Sequence, residues 1–140
     1  MTNKLRLVLD TNVFLVSLLP HHKYWWIFEG IIKRQFILLV SNEILTEYVG
    51  KCAEKYGPEL SSEKLDFLLE FINVELITPY YYWNLIEVDP DDNKFINCAI
   101  AGQADFIVTH DKHFNILADI DFPKVNTLRV DELKHLLQID

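Results

Sequence analysis

The chain has 140 residues, and its 13 Lys and Arg against 21 Asp and Glu give a formal net charge of −8. Half of the residues are hydrophobic, so a chain of this length can bury one hydrophobic core. These values exclude a disordered chain, a coiled coil and a collagen-like repeat. They also argue against nucleic-acid binding through overall basicity, so a phosphate-rich partner would need a local site with metal ions.

Apolar runs and helical patterns alternate along the chain. Strands are predicted at residues 5–9, 36–40, 74–77, 106–108 and 125–128. Helical spacing falls at residues 13–19, 24–34, 41–56, 65–72, 89–102, 112–117 and 130–138. Because strands that alternate with helices form parallel sheets, the sequence predicts a single α/β domain over residues 1–140. Its expected architecture is three-layer α/β/α around a central, mostly parallel sheet.

Local signals mark the ends of two helices. Ser41 can cap the helix after the second strand, and the Gly-Pro pair at 57–58 ends that helix. Asp89 followed by Pro90 begins a later helix, with a capping carboxylate and a proline at the first helical position.

Cysteine usage and hydropathy bear on location. Cys52 and Cys98 form no CxxC motif, so we expect two buried, reduced side chains. Residues 1–4 show no signal-peptide pattern, and the longest apolar stretch, residues 13–19, is too short to cross a bilayer. We therefore expect a soluble, cytoplasmic protein with no membrane partner.

Four acids fall where an open α/β sheet places its binding crevice, beyond the carboxyl ends of the strands. Asp10 ends the first strand and Asp111 follows the fourth. Glu47 lies in the helix after the second strand, and Asp92 lies in the first turn of the helix that begins near Pro90. With no Lys or Arg interleaved, such a cluster would repel itself, and Mg²⁺ or Mn²⁺ would relieve that repulsion.

Each acid also has a structural interpretation. Asp10 can form an Asx-turn, Glu47 can be an ordinary exposed helical glutamate, and Asp111 can cap the following helix. Asp92 can form a capping-box arrangement with Asp89. Taken together, the ordered set at strand ends favours a site.

Four segments carry a family resemblance: residues 8–13 (VLDTNV), 41–47 (SNEILTE), 89–95 (DPDDNKF) and 104–111 (ADFIVTHD). In this order they resemble the PIN-domain family of metal-dependent ribonucleases. The resemblance is to the small stand-alone members, the VapC-like toxin components of toxin–antitoxin pairs, and it spans nearly the whole chain.

The resemblance implies four acids that bind metal and catalyse, with two supporting polar side chains: Asp10, Glu47, Asp92 and Asp111, with Asn12 and Thr109. It implies one or two Mg²⁺ or Mn²⁺ ions, endonucleolytic hydrolysis of single-stranded RNA, and an antitoxin protein as partner. The products would carry 5′-phosphate and 3′-hydroxyl ends.

The last motif departs from the family pattern. Relatives often read Thr-Gly-Asp-Lys-Asp, whereas His110 and His113 occupy the second and fifth positions here. The site therefore either holds a second metal less firmly or uses an imidazole where relatives use a carboxylate. Asp105 also fits the family pattern, but we interpret it as a loop or strand-start residue.

Two aromatic clusters, at residues 24–26 and 80–83, have several possible uses. Base stacking, subunit contact and ordinary packing all suit them. For residues 80–83 we favour a subunit interface, and we expect a homodimer. The basic residues are dispersed, so no phosphate track is visible.

Two other functions compete with the nuclease. A noncatalytic PIN-like binding or assembly module would account for the net acidity, the two histidine departures and the aromatic clusters. A phosphotransfer domain shares the α/β layout, but Asp10 lacks the paired acid that receivers usually carry.

Overall fold

Five short, mostly apolar segments pair side by side in one sheet of the computed structural model, which describes residues 4–137. They are β1 (Arg6–Leu9), β2 (Ile37–Val40), β3 (Val74–Leu76), β4 (Phe106–Val108) and β5 (Thr127–Leu128). The order is β3-β2-β1-β4-β5, and every neighbouring pair is parallel. Helices cover this sheet, which confirms the predicted α/β fold class.

Within residues 4–137 there are six α-helices: α1 (Thr11–Val16), α2 (Trp25–Ile32), α3 (Asn42–Tyr56), α4 (Pro58–Leu68), α5 (Asn93–Ala101) and α6 (Val130–Leu136). Two further segments, Pro90–Asp92 and Lys112–Asp119, are 3₁₀-helices. The helix predicted over 112–117 is therefore a longer, tighter 3₁₀ segment. The helix predicted from Asp89 begins as one 3₁₀ turn and continues as α5.

The predicted limits of α3 are confirmed. The Ser41 hydroxyl accepts a hydrogen bond from the Ile44 N–H at 3.2 Å, and the helix ends at Tyr56. Gly57 then turns the chain with a φ of 95°, a conformation that favours glycine. The next helix begins at once with Pro58, earlier than the predicted spacing at 65–72, because proline suits a first helical position.

Several predictions concern the chain ends. The terminal helix predicted to Gln138 ends at Leu136, and Gln138 lies outside the described residues. Residues 1–3, which belong to the segment used for the signal-peptide prediction, also lie outside them. Between residues 4 and 137, no helix combines the length and the apolar character needed to span a membrane.

The middle of the sheet sets the position of the site. Leu7, Val8 and Leu9 of β1 are fully buried, and β1 pairs with β2 on one side and β4 on the other. Because the chain leaves β1 and β4 at the same sheet edge, their carboxyl ends form the crevice of an open α/β fold. Cys52 and Cys98 are buried and form no disulfide bond, as predicted.

Candidate metal centre

Asp10 and Asp111 meet at the carboxyl ends of β1 and β4. The Asp10 N–H donates to the Val108 carbonyl at 3.0 Å, which joins the two strand ends. The Thr109 hydroxyl donates to Asp10 Oδ2 at 2.7 Å and accepts the Asp111 N–H at 2.9 Å. One buried threonine therefore fixes both acids.

His113 lies between two carboxylates. Its backbone N–H donates to Asp111 Oδ1 at 2.9 Å, and its Nδ1 is 3.4 Å from Asp92 Oδ2 and 3.5 Å from Asp111 Oδ1. Asp89, Asp92 and His113 each offer one ligand atom, and these atoms lie within 4.8 Å of one another. Among residues 4–137, this is the one group of three or more His, Cys, Asp or Glu side chains placed so closely.

Glu47 reaches the cluster from α3, and both of its carboxylate oxygens have partners. Oε2 accepts a hydrogen bond from the Thr11 hydroxyl, and Oε1 is 2.8 Å from Lys94 Nζ. Lys94 Nζ is also 2.7 Å from Asp91 Oδ2, although only 7% of the lysine side chain is exposed. The expectation of an acidic cluster with no interleaved Lys or Arg is therefore wrong.

Burial and neighbouring charge make a cation favourable here. Burial raises the pKa of Asp10, against the effect of the Thr109 hydrogen bond, and Asp111 and Glu47 raise it further. Burial and the charge of Asp89 raise the pKa of Asp92 to about 6. Because a bound cation favours the ionised form of a carboxylate, these acids suit a divalent metal ion.

The predicted site residues divide into three groups. Asp10, Asp92 and Asp111 converge on one side, with Thr109 fixing two of them. Glu47 lies beside them, held by Thr11 and Lys94. Asn12 is exposed in the first turn of α1 and lines the adjoining cleft.

Sequence reasoning missed Asp89 as a potential ligand and missed Lys94 altogether. The sequence predicts Asp89 as a helix cap, and its Oδ1 accepts the Asp91 N–H at 3.3 Å. Within the described residues, no bond from the Asp89 N–H to the Asp92 carboxylate completes a capping box. The spacing of Asp91 and Lys94, three residues apart in a helical region, was the available signal for the lysine.

A cleft of about 290 Å³ adjoins Asp10 and Asp111, with apolar walls that include Val13 and Val130. Tyr24 and His110 line both this cleft and a neighbouring depression, which also contains Lys23, Trp26, Asp131 and Lys134. Lys23 Nζ is 4.9 Å from the Tyr24 ring centre, and Lys134 Nζ is 6.0 Å from that of Trp26. Folding thus brings together two lysines that are distant in sequence.

Two other sequence features lie apart from the acids. The Asp105 carboxylate accepts the Arg6 N–H at 2.8 Å, at the amino end of β1, which agrees with a strand-start role. Tyr80, Tyr81 and Tyr82 are exposed. Trp83 is half-buried, and its backbone N–H donates to Asn97 Oδ1 at 2.7 Å.

Comparisons with known proteins identify the family. The PIN domain family model matches residues 6–113, so the chain belongs to the PIN-domain family. It is similar to the uncharacterized protein MJ1680 of Methanocaldococcus jannaschii, with 34% identity over 133 residues that cover 91% of this chain and 84% of that protein. The phosphotransfer alternative gains no support.

Solved structures share the fold at low sequence identity. VapBC2 from Rickettsia felis, bound to a DNA fragment from its promoter, has a TM-score of 0.62 and 16% identity over 89% of this chain and 98% of that one. VapC20 of Mycobacterium tuberculosis, described as a Sarcin-Ricin loop cleaving toxin, has a TM-score of 0.53 and 13% identity over 85% and 98%. These similarities agree with a five-stranded parallel sheet flanked by helices.

Proposed function

We propose that this protein is an endoribonuclease that depends on Mg²⁺ or Mn²⁺ and hydrolyses phosphodiester bonds of single-stranded RNA. The observation that carries the proposal is the convergence of Asp10, Asp92 and Asp111 beside His113 at the carboxyl ends of β1 and β4. Membership of the PIN-domain family supports it. So does the structural similarity to VapC20, whose description names a cleaving toxin.

The donor set fits a hard divalent ion. Asp89, Asp92 and His113 are the residues placed to hold it, with Asp10 and Asp111 adjacent, and carboxylate-rich sites with an imidazole suit Mn²⁺ as well as Mg²⁺. When bound, such an ion lowers the pKa of a nearby water and offsets negative charge on the phosphodiester.

The protein's own groups orient the acids and handle the proton. Thr109 holds the Asp10 carboxylate by a 2.7 Å hydrogen bond, so that acid does not rotate freely. The Asp92 carboxylate is the candidate acceptor of the proton of the attacking water, through the oxygen that would not hold the ion.

The depression next to the cleft supports an RNA strand as substrate. Tyr24 and Trp26 offer aromatic faces on which unpaired bases can stack, and Lys23 and Lys134 offer positive charge for a neighbouring phosphate. Because the chain as a whole is acidic, binding of an RNA phosphate depends more on this local pair of lysines than it would on a basic protein.

We further propose that the protein is the toxin of a toxin–antitoxin pair, that it acts in the cytoplasm, and that an antitoxin protein is its partner. The similarity to VapBC structures supports this biological role.

Cleavage of a labelled single-stranded RNA tests the proposed activity. The protein should cleave with Mn²⁺ or Mg²⁺, lose activity with EDTA, and lose it when Asp10→Asn removes the central carboxylate. Asp66→Asn, a change of an exposed helical acid, is the control and should cleave normally. Cleavage without metal, or an unaffected Asp10→Asn variant, would contradict the mechanism. If the protein neither binds metal nor cleaves RNA, the noncatalytic binding module is favoured instead.

A further inference from the structure

Lys94 has the surroundings of a bound cation. Its Nζ lies 2.8 Å from Glu47 Oε1 and 2.7 Å from Asp91 Oδ2, and it donates to the Asp91 carbonyl at 3.1 Å. An ammonium group has three N–H donors, so these three oxygens satisfy all of them. Asp91 itself is mostly exposed, whereas the Lys94 side chain is buried.

The Lys94 ammonium contacts Oε1 of Glu47, the carboxylate oxygen that does not bind Thr11. Since Thr11 donates to the other oxygen, each oxygen of the Glu47 carboxylate has a protein partner. The opposite half of the cluster differs. There the ligand atoms of Asp89, Asp92 and His113 lie within 4.8 Å of one another, and His113 Nδ1 is 3.4 Å from Asp92 Oδ2.

We propose that the Lys94 ammonium is a built-in cation that takes the place of a second divalent ion. The site then binds a single Mg²⁺ or Mn²⁺ on the side of Asp89, Asp92 and His113. The proposal rests on the metal dependence proposed above, and it separates Glu47 from the metal ligands. Glu47 instead carries the charge that holds Lys94 in place.

Electrostatics explains why the two cations exclude one another. A divalent ion on Glu47 would lie beside the ammonium and be repelled by it. The ammonium is held within 2.8 Å of Glu47 Oε1 and 2.7 Å of Asp91 Oδ2, so two carboxylates balance its positive charge. Lys94 lies in α5, and its Nζ is 5.5 Å from the centre of the Phe95 ring, so the ammonium cannot move aside without losing these contacts.

Removal of the lysine charge would open this position. Glu47, Asp91 and Lys94 line a surface depression together with Glu43 and Thr46. Without the ammonium, Glu47 and Asp91 would face each other as unneutralised carboxylates across an open site. Such a pair is ready to bind a hydrated divalent ion.

Calorimetric titration with Mn²⁺ alone tests the proposal. Wild type should bind one ion. Lys94→Met, which keeps the length of the side chain up to Cε and removes the ammonium, should bind two. The double variant Lys94→Met with Glu47→Gln should return to one ion. Lys51→Met removes an exposed lysine that pairs with Glu54 and should leave one ion bound.

A second titration does not depend on how the Lys94 variants fold. Glu47→Gln alone should leave the Mn²⁺ stoichiometry at one. Asp92→Asn removes a ligand and should weaken binding by more than the roughly 10- to 100-fold that loss of an outer-shell group costs. Two ions bound by wild type, one bound by a folded Lys94→Met, or loss of Mn²⁺ binding in Glu47→Gln would each overturn the built-in cation while the metal dependence stands. No binding by wild type would overturn both.

Discussion

Thr109 supports the site through a single hydroxyl that contacts two acids. Thr109→Val keeps the shape of the side chain but removes its hydrogen bonds to Asp10 and Asp111. We expect Mn²⁺ affinity to fall by about 10- to 100-fold, as it does when groups that orient metal ligands are lost. We expect the free energy of unfolding to fall by about 1–3 kcal/mol.

Thr109→Ser is the matched control, because it retains the hydroxyl and should stay close to wild type in both measurements. Calorimetry gives the affinity and urea unfolding gives the stability. Equal effects of the valine and serine variants would show that the hydroxyl has no part in orienting the acids.

Asp92 makes the metal-free protein less stable at high pH. Its pKa is raised from 3.8 to about 6 in the folded state, so the folded protein holds this proton more tightly than the unfolded chain does. The resulting cost is fully present above pH 6 and disappears as the pH falls toward 4. Asp92→Asn should therefore be more stable than wild type at pH 8, by roughly 1–3 kcal/mol, with the difference vanishing near pH 4.

Urea unfolding with EDTA present, repeated from pH 4 to pH 8, measures this dependence. Asp66→Asn, at an exposed acid, should follow the wild-type curve. Added Mn²⁺ should reverse the order at pH 8, because the ion stabilises the wild-type carboxylate and finds a ligand missing in the variant. If the difference in unfolding free energy between wild type and Asp92→Asn does not change with pH, the raised pKa of Asp92 is contradicted.

At the scale of elements, α5 organises the irregular segment that leads to the acids. The Asn93 amide makes two hydrogen bonds with the backbone of Ile86, each of 2.9 Å. The Asn97 side chain accepts a hydrogen bond from the backbone N–H of Trp83. The segment has no regular structure between β3 and the 3₁₀ turn at Pro90–Asp92. The two helical asparagines replace the hydrogen bonds that a helix or strand would supply.

Asn93→Ala should therefore affect both stability and the metal site. Loss of two buried hydrogen bonds should cost about 1–3 kcal/mol of unfolding free energy. Mn²⁺ affinity should also fall, because Asp89 lies at the end of the released segment. Asn84→Ala, an exposed asparagine in the same segment, should change neither quantity. Unfolding and titration measured in parallel would reveal whether the segment positions Asp89.

At the scale of the whole molecule, α2 and α6 contribute to one basic depression. Lys23→Met with Lys134→Met should weaken binding of a non-cleavable single-stranded RNA about tenfold at moderate salt. The slope of log K against log salt should become shallower by roughly 1.4, as expected for two lost phosphate contacts. Mn²⁺ binding should not change.

Lys33→Met with Lys51→Met removes the same charge from surfaces outside this depression and is the matched control. Fluorescence anisotropy across a salt series measures both quantities. An equal loss in the two double variants would mean that only net charge matters, and that the depression does not bind RNA.

The exposed aromatic segment gives a prediction about assembly. Tyr80 is 91% exposed, and Tyr82 and Phe122 are exposed as well, so we retain the prediction of a homodimer through this surface. Sedimentation should give a dimer for wild type and a monomer for Tyr80→Ser with Tyr82→Ser. Leu69→Ser, at another exposed apolar residue, should leave the dimer intact, and a monomeric wild type would disprove the prediction.

Local chemistry explains why most elements were predictable. The run at residues 36–40 is apolar at every position, as a strand buried on both faces requires, and Ser41 and Gly57 mark helix ends by their own hydrogen bonding and backbone freedom. The 3₁₀ segment Lys112–Asp119 was less predictable, because α- and 3₁₀-helices share sequence preferences and differ only in how tightly the chain winds.

The sequence by itself determined the fold class, the family and the placement of Asp10 and Asp111 at strand ends, because each depends on neighbours along the chain. The tertiary structure alone decided that Lys94 neutralises Glu47 and that Asp89 and His113 meet Asp92. It alone also brought Lys23 and Lys134 to one depression. These are contacts between side chains on different elements, and their distances depend on how helices pack against the sheet. Sequence spacing does not contain that information.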